Sequence, residues 1–482
     1  MKDILFINPV QTSKAPLLSY ILLWIASYLE QAGIQTKVLY PAQDFEKEIL
    51  TALETYQPRW VGVSCLWYTH LFGAIKTADI VKNFDKDIKL VAGGNTATFF
   101  DKDLLVNSRF DVIIRGDSER PLVELIKNGR LVNTTDRFEN KIRRKEITYT
   151  MHENELRGYR LGDLHQLVHN PNSVFERTNY IWTGKGCNFS CFYCSGSRMS
   201  QYRHSRRKRP IIRPIADVAQ DIERFRPFSD RILFDFSDML VNKKPYFEEL
   251  FKKIPGKDLH CKICYWGIPS TSVIDSLSQT FRTSALIIDT LTLNERLRNR
   301  LAESGWSKPS FSNQDIENLC EYCCRKGNVS LGLENIAGLP GETSADVDGH
   351  IEFAKHLLQK YPCVIDLDYW PLSLEPGSWL FGDPDRFGYV NTRKGFEAYY
   401  RLTKAAFETD SVYPYVPYQR SDNRLEKIEH PFGTYPAGSS EMAAYRYSRR
   451  FYDAIRKETL ASKLLFKNGI LNTLDSRAES LL

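Results

Sequence analysis

The sequence of 482 residues has no apolar run of about 18 or more residues, the length that a membrane-spanning helix needs. It also lacks an internal repeat at a solenoid period. Its formal net charge of +6 is small for its length, so charge alone does not argue for a nucleic-acid or membrane partner. The apolar start, residues 1–9, is too short for the apolar region of a signal peptide. We therefore expect a cytoplasmic protein without a membrane span.

Disulfide pairing is not expected either, because thiols stay reduced in the cytoplasm. The chain has ten cysteines, and reduced cysteines at close spacing indicate metal or cluster ligands. Cys261 and Cys264 form a C-x-x-C on a predicted strand, where they point to opposite faces, and Cys320, Cys323 and Cys324 lie on a predicted helix. Buried free thiols are the favoured interpretation of both groups. An auxiliary cluster or a zinc site is the alternative.

Strand and helix patterns alternate over the first 130 residues. This order predicts a parallel sheet covered by helices, a doubly wound, Rossmann-like domain over residues 1–130. Two predicted helices lie at Leu18–Gln31 and Thr69–Asn83. The predicted strands are Ile4–Asn8, Thr36–Tyr40, Trp60–Cys65, Lys89–Ala92 and Asp111–Ile114.

A second alternating region follows a polar segment, residues 131–178, which we interpret as a linker. Six strand–helix units over residues 179–385 predict a partial (β/α)6 barrel, a fold class whose chemistry lies at the carboxyl ends of the strands. Residues 386–482 are predicted to be rich in helix. The predicted barrel strands are Tyr180–Thr183, Arg231–Phe236, His260–Trp266, Ala285–Asp289, Val329–Asn335 and Val364–Trp370.

The most informative motif is C-x-x-x-C-x-x-C, formed by Cys187, Cys191 and Cys194 on a loop after the first barrel strand. Three thiolates fill three corners of a four-iron cluster and leave one iron open to an outside ligand. A closed zinc site needs four ligands, and no histidine or cysteine follows at zinc-finger spacing. Gly184 and Gly186 allow the backbone to turn tightly around a bulky cofactor. The motif therefore favours a 4Fe–4S cluster.

In this motif the chain resembles the radical S-adenosylmethionine superfamily. The resemblance implies that the open iron binds S-adenosylmethionine and that one electron from the cluster yields a 5′-deoxyadenosyl radical. It implies that Tyr193 packs near the adenine, and that a flavodoxin or ferredoxin reduces the cluster. Asp235 and Ser237, at the end of the second strand, correspond to contacts with the methionine end of the cofactor.

Two further barrel segments carry the same resemblance. Residues 336–343 resemble the G-L-P-G-E-T turn near adenine, which implies roles for Gly338 and Gly341. Leu374–Ser378 matches the P-G-S/T turn after the sixth strand. Where the family has G-x-E-S on strand four, this chain lacks the glycine and has Asp289 in place of the glutamate. Whether Asp289 contacts the ribose or the amino-acid part of the cofactor is therefore left open.

Three acidic residues on barrel strands are candidates for proton transfer or for lining a substrate pocket. Asp366 and Asp368 share one strand face, and Glu334 lies on the preceding strand. Acidic residues inside a barrel are costly unless they are paired or face a wet pocket. A substrate pocket and a salt bridge at the strand end both remain open.

The order of a nucleotide-fold domain before a radical barrel resembles the cobalamin-binding radical S-adenosylmethionine class. Matching segments are residues 61–64, residues 93–96 and residues 115–119, which relatives read as R-G-E-G-E. The D-x-H-x-x-G signature of a lower axial histidine is absent, so cobalamin would be bound without that ligand. The resemblance implies the cobalamin contacts Trp67, His70, Gly93, Gly94, Asn95, Thr96 and Gly116.

Three functions follow from these features. The first is cobalamin-dependent radical methylation of an unactivated carbon of a small-molecule or natural product, in a biosynthetic pathway. The alternative is a radical dehydratase, cyclase or rearrangement enzyme of the same fold that makes no methylated product and need not bind cobalamin. The third is a non-catalytic cobalamin or cluster sensor, which the open cluster corner argues against. The basic segment, residues 203–209, is interpreted as a solvated surface loop. The alternative is a surface that binds a phosphate-bearing substrate or a reductase partner.

Overall fold

The computed structural model describes residues 2–9, 21–41, 44–139, 141–157, 179–234, 245–390, 394–408, 418–421, 424–427 and 440–465. Within these residues the α/β fold class is confirmed, with two sheets of mainly parallel strands followed by a helical C-terminal region. No helix among them is both long and apolar enough to cross a membrane.

Among the described residues, the first sheet has seven strands in the order β2-β1-β3-β4-β5-β6-β7. The first five strands are parallel, and β6 and β7 add to the edge beside β5 as antiparallel strands. The strands are β1 (Lys2–Ile7), β2 (Thr36–Leu39), β3 (Pro58–Ser64), β4 (Lys89–Gly93), β5 (Val112–Ile114), β6 (Thr134–Phe138) and β7 (Lys141–Arg144). The helices are α1 (Ile21–Gln31), α2 (Phe45–Tyr56), α3 (Leu71–Phe84), α4 (Asn95–Phe99), α5 (Asp101–Asn107) and α6 (Glu119–Asn128).

Helices cover both faces of this sheet, which explains why its strands read as continuous apolar runs. In β1, Ile4 and Phe6 belong to the cluster that contains α1, whereas Leu5 and Ile7 belong to the cluster that contains α2 and α3. Successive side chains of a strand point to opposite faces, so each face buries every second residue.

The segment that we interpreted as a linker contributes to this sheet. Residues 134–138 and 141–144 form β6 and β7, so the sheet extends beyond the predicted boundary at residue 130. Residues 158–178 lie outside the described residues, and the domain boundaries stay a prediction.

In the part of the chain that the structure describes, the second sheet has six parallel strands in the order β15-β14-β13-β12-β11-β8. Its two edge strands, β8 and β15, do not pair with each other among the described residues, as in a partial barrel. The strands are β8 (Asn179–Tyr180), β11 (Arg231–Phe234), β12 (His260–Tyr265), β13 (Thr283–Leu291), β14 (Val329–Ala337) and β15 (Val364–Pro371). A separate antiparallel pair is formed by β9 (Gly184–Lys185) and β10 (Ile211–Ile212).

The described residues of this region contain eight helices. They are α7 (Arg198–Ser205), α8 (Ile215–Phe225), α9 (Tyr246–Phe251), α10 (Thr271–Thr280), α11 (Glu295–Glu303), α12 (Asn313–Lys326), α13 (Ser344–Lys360) and α14 (Trp379–Gly382). The first barrel strand is shorter than predicted, because the Thr183 carbonyl accepts a hydrogen bond from Arg213 N (2.8 Å), in the segment that carries β10.

The C-terminal region contains α15 (Gly395–Glu408), the hairpin of β16 (Tyr418–Ser421) and β17 (Arg424–Lys427), and α16 (Ser440–Leu465). Helix α15 packs on α3, with the rings of Phe72 and Tyr400 5.7 Å apart. Helix α16 packs on β15, where Tyr452 Oη accepts a hydrogen bond from Tyr369 N (3.2 Å). The C-terminal helices therefore brace both sheets.

The expectation that every cysteine stays unpaired is wrong for one pair, because Cys324 and Cys363 form a disulfide. Cys363 follows α13 and is 39 residues away in sequence, so the pairing depends on the packing of α12 against the start of β15. Cys261, Cys320 and Cys323 are buried free thiols, as favoured, and Cys264 is a half-buried one.

Two tryptophans and a buried ion pair join the first domain to the barrel. Trp24 of α1 lies against Trp182, with ring centroids 4.6 Å apart, and the Arg213 guanidinium lies 4.9 Å from the Trp24 ring. Arg213 and Asp221 form an ion pair at 2.7 Å, and both side chains are inaccessible to solvent. Burial raises the pKa of Asp221 and the Arg213 charge opposes that rise.

We predict that Arg213→Met lowers the free energy of unfolding by about 3 kcal/mol, because it leaves the buried Asp221 carboxylate without its main partner. Arg213→Met/Asp221→Leu should recover most of that loss. Urea unfolding followed by tryptophan fluorescence measures both, since Trp24 and Trp182 report on this contact. Arg226→Met removes two exposed ion pairs, with Glu223 and Asp258, and serves as the control, with a change in the free energy of unfolding below about 1 kcal/mol. Equal losses of unfolding free energy in the single and double variants would show that the unpaired Asp221 carboxylate is not the cause of the destabilisation.

Candidate cofactor site

The cysteine loop begins where two glycines leave room for neighbouring backbone. A Cβ atom at Gly184 would lie 2.2 Å from the Ile211 carbonyl oxygen. Gly186 has φ of +99°, and a Cβ there would lie 2.8 Å from Pro210 Cα. Only glycine fits both positions, so the chain can pass under residues 210–212 immediately before Cys187.

Cys187, Cys191 and Cys194 lie on one tightly folded loop. Cys194 N donates to the Cys191 carbonyl (3.3 Å), and Ser197 N donates to the Cys194 carbonyl (3.2 Å). Burial raises the pKa of the Cys194 thiol well above its ordinary value, and Glu375, Cys191 and Cys187 raise it further. The three thiols are therefore close enough to interact electrostatically.

No group of three or more His, Cys, Asp or Glu side chains within the described ranges is arranged to hold a metal ion. Each cysteine of a four-iron cluster binds a different iron atom. The three sulfurs of a cluster site are thus not expected to converge on one point, as the ligands of a single metal ion do. The position of all three cysteines on one loop fits a cluster.

A cavity of about 320 Å³ separates the cysteine loop from the first sheet. On the barrel side it is lined by the cysteine loop and by the start of the basic segment. On the other side it is lined by α1 and by the carboxyl ends of β3, β4 and β5. The barrel-side lining includes Trp182, Gly184, Lys185, Gly186, Cys187, Cys194, Gly196, Gln201, Ser205, Arg207 and Trp266.

Five of the seven predicted cobalamin contacts line this cavity: Trp67, Gly93, Gly94, Asn95 and Gly116. Gly94 has φ of +113°, and a Cβ there would lie 2.6 Å from the Cys65 carbonyl oxygen. A larger residue would therefore displace the loop that carries Trp67.

The other two predicted contacts do not line the cavity. His70 is inaccessible to solvent, in a short 3-10 turn before α3. Thr96 is buried, and its N–H donates to the Leu66 carbonyl (3.2 Å). Thr96 thus holds the loop before Trp67. Their contact with cobalamin stays a prediction.

Charged residues that the sequence analysis left unassigned clamp the cysteine loop to the first domain. Lys185 forms ion pairs with Glu119 and, at 3.6 Å, with Asp117. Arg207 pairs with Asp117, whose carboxylate also accepts Met151 N (2.8 Å). Glu119 is inaccessible to solvent. The charges within residues 115–119 (Arg-Gly-Asp-Ser-Glu) were the available signal, but they do not indicate a partner 66 residues away in sequence.

Tyr193 and Asp289, both predicted to contact S-adenosylmethionine, lie near each other. Burial raises the pKa of Tyr193 well above its ordinary value, with further contributions from Cys191 and Asp289. Asp289 forms an ion pair with Lys308, whose Nζ lies 4.2 Å from the ring centre of Trp266. Sequence reasoning did not identify Lys308 as a partner of Asp289.

The G-L-P-G-E-T turn is held by a buried carboxylate. Glu342 accepts hydrogen bonds from Gly338 N (2.5 Å), Leu339 N (3.3 Å) and Tyr369 Oη. A Cβ at Gly338 would lie 2.3 Å from Ala444 Cβ of α16, and one at Gly341 would meet the Arg300 guanidinium. Gly338 is thus required by packing, and Gly341 is favoured by its backbone conformation, with φ of +69°. Their contact with the cofactor stays a prediction.

Glu334, Asp366 and Asp368 lie on one face of the second sheet, because Gly332 pairs with Asp366 and Glu334 with Asp368. All three are half-buried. Lys262 lies on the same face, and its pKa is raised by Cys264, Asp366 and Glu334 against the effect of burial. Asp368 accepts a hydrogen bond from Tyr452 Oη (3.2 Å). The face therefore combines acidic, basic and hydroxyl groups.

Asp235 and Ser237, the predicted contacts with the methionine end of the cofactor, lie outside the described residues.

Comparisons with known proteins agree with this architecture. Residues 10–126 match the B12 binding domain family. A search of curated proteins by sequence finds no match.

Two structures of TsrM, a radical S-adenosylmethionine methyltransferase from Kitasatospora setae, are similar to this chain. The structure with tryptophan substrate and the analogue aza-SAM is 18% identical, with a TM-score of 0.65, covering 82% of this chain and 79% of its own. The structure with cobalamin and a 4Fe–4S cluster is 17% identical, with a TM-score of 0.64, covering 82% of this chain and 77% of its own. At these identities the similarity shows a shared fold.

We predict a pH-dependent stability from Glu342, whose pKa burial raises to about 7. The folded state then binds the proton more tightly than the unfolded chain. Its contribution to stability is therefore complete below about pH 4.5, decreases as the pH rises towards 7, and is constant above that value.

Glu342→Gln removes this titration, so the stability of the variant relative to the wild type should rise by up to about 3 kcal/mol between pH 5 and pH 8. Thermal unfolding at the two pH values measures the difference. Glu397→Gln, at an exposed position, is the matched control. A difference for Glu342→Gln that does not change with pH would show that the carboxyl group ionises in the folded state as it does in the unfolded chain.

Proposed function

We propose that this protein is a radical S-adenosylmethionine enzyme that uses cobalamin to methylate an unactivated carbon of a small-molecule substrate. One observation carries the proposal. A single cavity is lined by Cys187 and Cys194 on one side and by Gly93 and Gly94 on the other. The shared fold and the B12 binding domain match support it.

Cys187, Cys191 and Cys194 would hold the 4Fe–4S cluster. Three thiolates leave one iron open, which is the requirement for binding S-adenosylmethionine. The clamp of Lys185 and Arg207 onto Asp117 and Glu119 would keep this loop at a fixed position against the first domain.

Gly93, Gly94, Asn95, Gly116 and Trp67 would bind cobalamin. The absence of side chains at the glycines lets a planar ligand approach the carboxyl ends of the strands. Apolar residues of the wall, including Phe6, Leu22 and Ile25, would keep water away from the bound cobalamin. When bound, the cofactors supply a carbon-centred radical and a transferable methyl group.

Tyr193, Asp289, Gly338 and Gly341 would contact S-adenosylmethionine, with Lys308 fixing the orientation of Asp289. Asp235 and Ser237 complete this proposed set.

Glu334, Asp366 and Asp368 would bind polar groups of the substrate or move a proton, because their half-buried carboxylates share a face with Lys262. Tryptophan, the substrate in the TsrM structure, is one small molecule to test. An electron donor of the flavodoxin or ferredoxin type and a cytoplasmic, biosynthetic setting complete the proposal.

We predict that anaerobic reconstitution with iron and sulfide yields a 4Fe–4S optical spectrum, and that hydroxocobalamin adds near-stoichiometric cobalt. Cys187→Ala, Cys191→Ala and Cys194→Ala should each lose most of the cluster absorbance, whereas Cys261→Ala, at a buried thiol outside the loop, should retain it. Iron content and the visible spectrum measure this. A full cluster in all three loop variants would contradict the site.

We predict that Gly93→Leu weakens cobalamin binding, because the new side chain would enter the space between Gly93 and Ser118, where a Cβ already lies 3.1 Å from Ser118 Oγ. A bulky group at the cavity wall should reduce the bound cobalt at least tenfold, a cost of about 1.4 kcal/mol. Gly349→Leu is the control, since a Cβ at Gly349 meets nothing within 4 Å. Equal cobalt content in both variants would rule out this wall as the site.

The products distinguish methylation from the alternative. Methylation requires one 5′-deoxyadenosine and one S-adenosylhomocysteine for each methyl group transferred. Full turnover of a substrate without S-adenosylhomocysteine, or with no need for cobalamin, would favour a radical dehydratase, cyclase or rearrangement enzyme instead.

A further inference from the structure

The segment after the cysteine loop is basic over its whole length. Residues 195–216 contain seven lysines and arginines and no acidic residue. Two of the seven, Arg207 and Arg213, are buried and paired with Asp117 and Asp221. The other five are exposed and form what we name the basic patch: Arg198, Arg203, Arg206, Lys208 and Arg209.

The charges of the basic patch are not neutralised by neighbours. Across the described ranges of the chain, none of the five residues forms an ion pair. Arg203 lies over the ring of Trp379, 6.0 Å from its centre, and Tyr202 is 46% exposed between the cations. Five positive charges without ion-pair partners among the described residues create a positive potential over this surface. The patch therefore attracts an acidic surface.

Helix α7, which carries part of the patch, is the wall between the cavity and the solvent. Gln201 and Ser205 line the cavity on its inner side. Arg198 and Tyr202 are four residues apart and exposed on its outer side. Ser200 Oγ donates to the Cys194 carbonyl (3.0 Å), which fastens the helix to the cysteine loop. One helix with its side chains is about 10 Å thick, so a partner on the outer side would lie close to the cluster.

The breadth of the patch favours a protein over a small anion. Its residues extend along α7, about 12 Å in length, and along the loop that follows. The patch residues themselves do not line the cavity, whose wall on this side is formed by Gln201, Ser205 and Arg207.

We propose that the basic patch is the docking surface for an acidic one-electron donor protein of the flavodoxin class. This inference rests on the proposed cluster at Cys187, Cys191 and Cys194. The reduced flavin of the partner gives up one electron and the oxidised cluster gains it, so that no covalent bond forms or breaks. Electrostatic attraction brings the flavin to α7, where the path to the cluster is one helix thick.

The first test measures binding without turnover. Isothermal titration with oxidised flavodoxin should give a Kd at least about tenfold weaker for Arg198→Glu/Lys208→Glu/Arg209→Glu than for the wild type at low ionic strength. High salt should reduce the difference. Lys252→Glu/Lys253→Glu/Lys257→Glu changes the net charge by the same amount at three exposed lysines elsewhere and should bind as the wild type does.

The second test measures electron transfer by anaerobic stopped flow. Reduced flavodoxin should reduce the cluster at least about tenfold more slowly in the patch variant, whereas dithionite should reduce it at the wild-type rate. Dithionite-driven cleavage of S-adenosylmethionine should also be unchanged.

Wild-type binding and reduction rates in the patch variant would overturn the inference. Loss of dithionite-driven activity in the patch variant with flavodoxin binding intact would also overturn it, since the patch would then face the substrate. If the wild-type protein takes up no cluster, the proposed function itself fails, and that result is seen before any variant is compared.

Discussion

The candidate site depends on the buried ion pairs of Lys185 and Arg207 with Asp117 and Glu119. Lys185 lies just before Cys187, and Arg207 lies just after α7. Their pairs with Asp117 and Glu119, which follow β5, fix the two walls of the cavity relative to each other. A buried charge that loses its partner costs several kcal/mol. Movement of either wall would break these pairs, and the cavity between the two domains therefore keeps its shape.

Glycines and apolar side chains then determine what the cavity can accept. Gly184, Gly186 and Gly94 allow backbone segments to approach where any Cβ would collide. Trp182 lies against Trp24, and the stacked Arg213 is held by Asp221, so the aromatic part of the wall is fixed as well. A rigid, mostly apolar space with thiols at one side suits large cofactors better than a small polar metabolite.

Much of the fold could be predicted from the sequence, because strand and helix periodicity is local. The parallel strands of both sheets and the loop position of Cys187, Cys191 and Cys194 are of this kind. The ion pair of Lys308 with Asp289, the pairing of Lys185 with Glu119 and the disulfide of Cys324 with Cys363 were not predicted. Each joins residues far apart in sequence, and no local pattern encodes which charges or thiols meet. The edge strands β6 and β7 were missed because a polar, half-exposed hairpin has weak periodicity.

The central claim is that one cavity holds both cofactors. Electron paramagnetic resonance of the reduced protein loaded with cluster and cob(II)alamin tests it most directly. We predict that the cob(II)alamin signal is broadened by the nearby reduced cluster, and that the broadening disappears in Cys194→Ala. Two superimposed signals, each identical to that of the protein carrying one cofactor, would place the cofactors far apart and contradict the account.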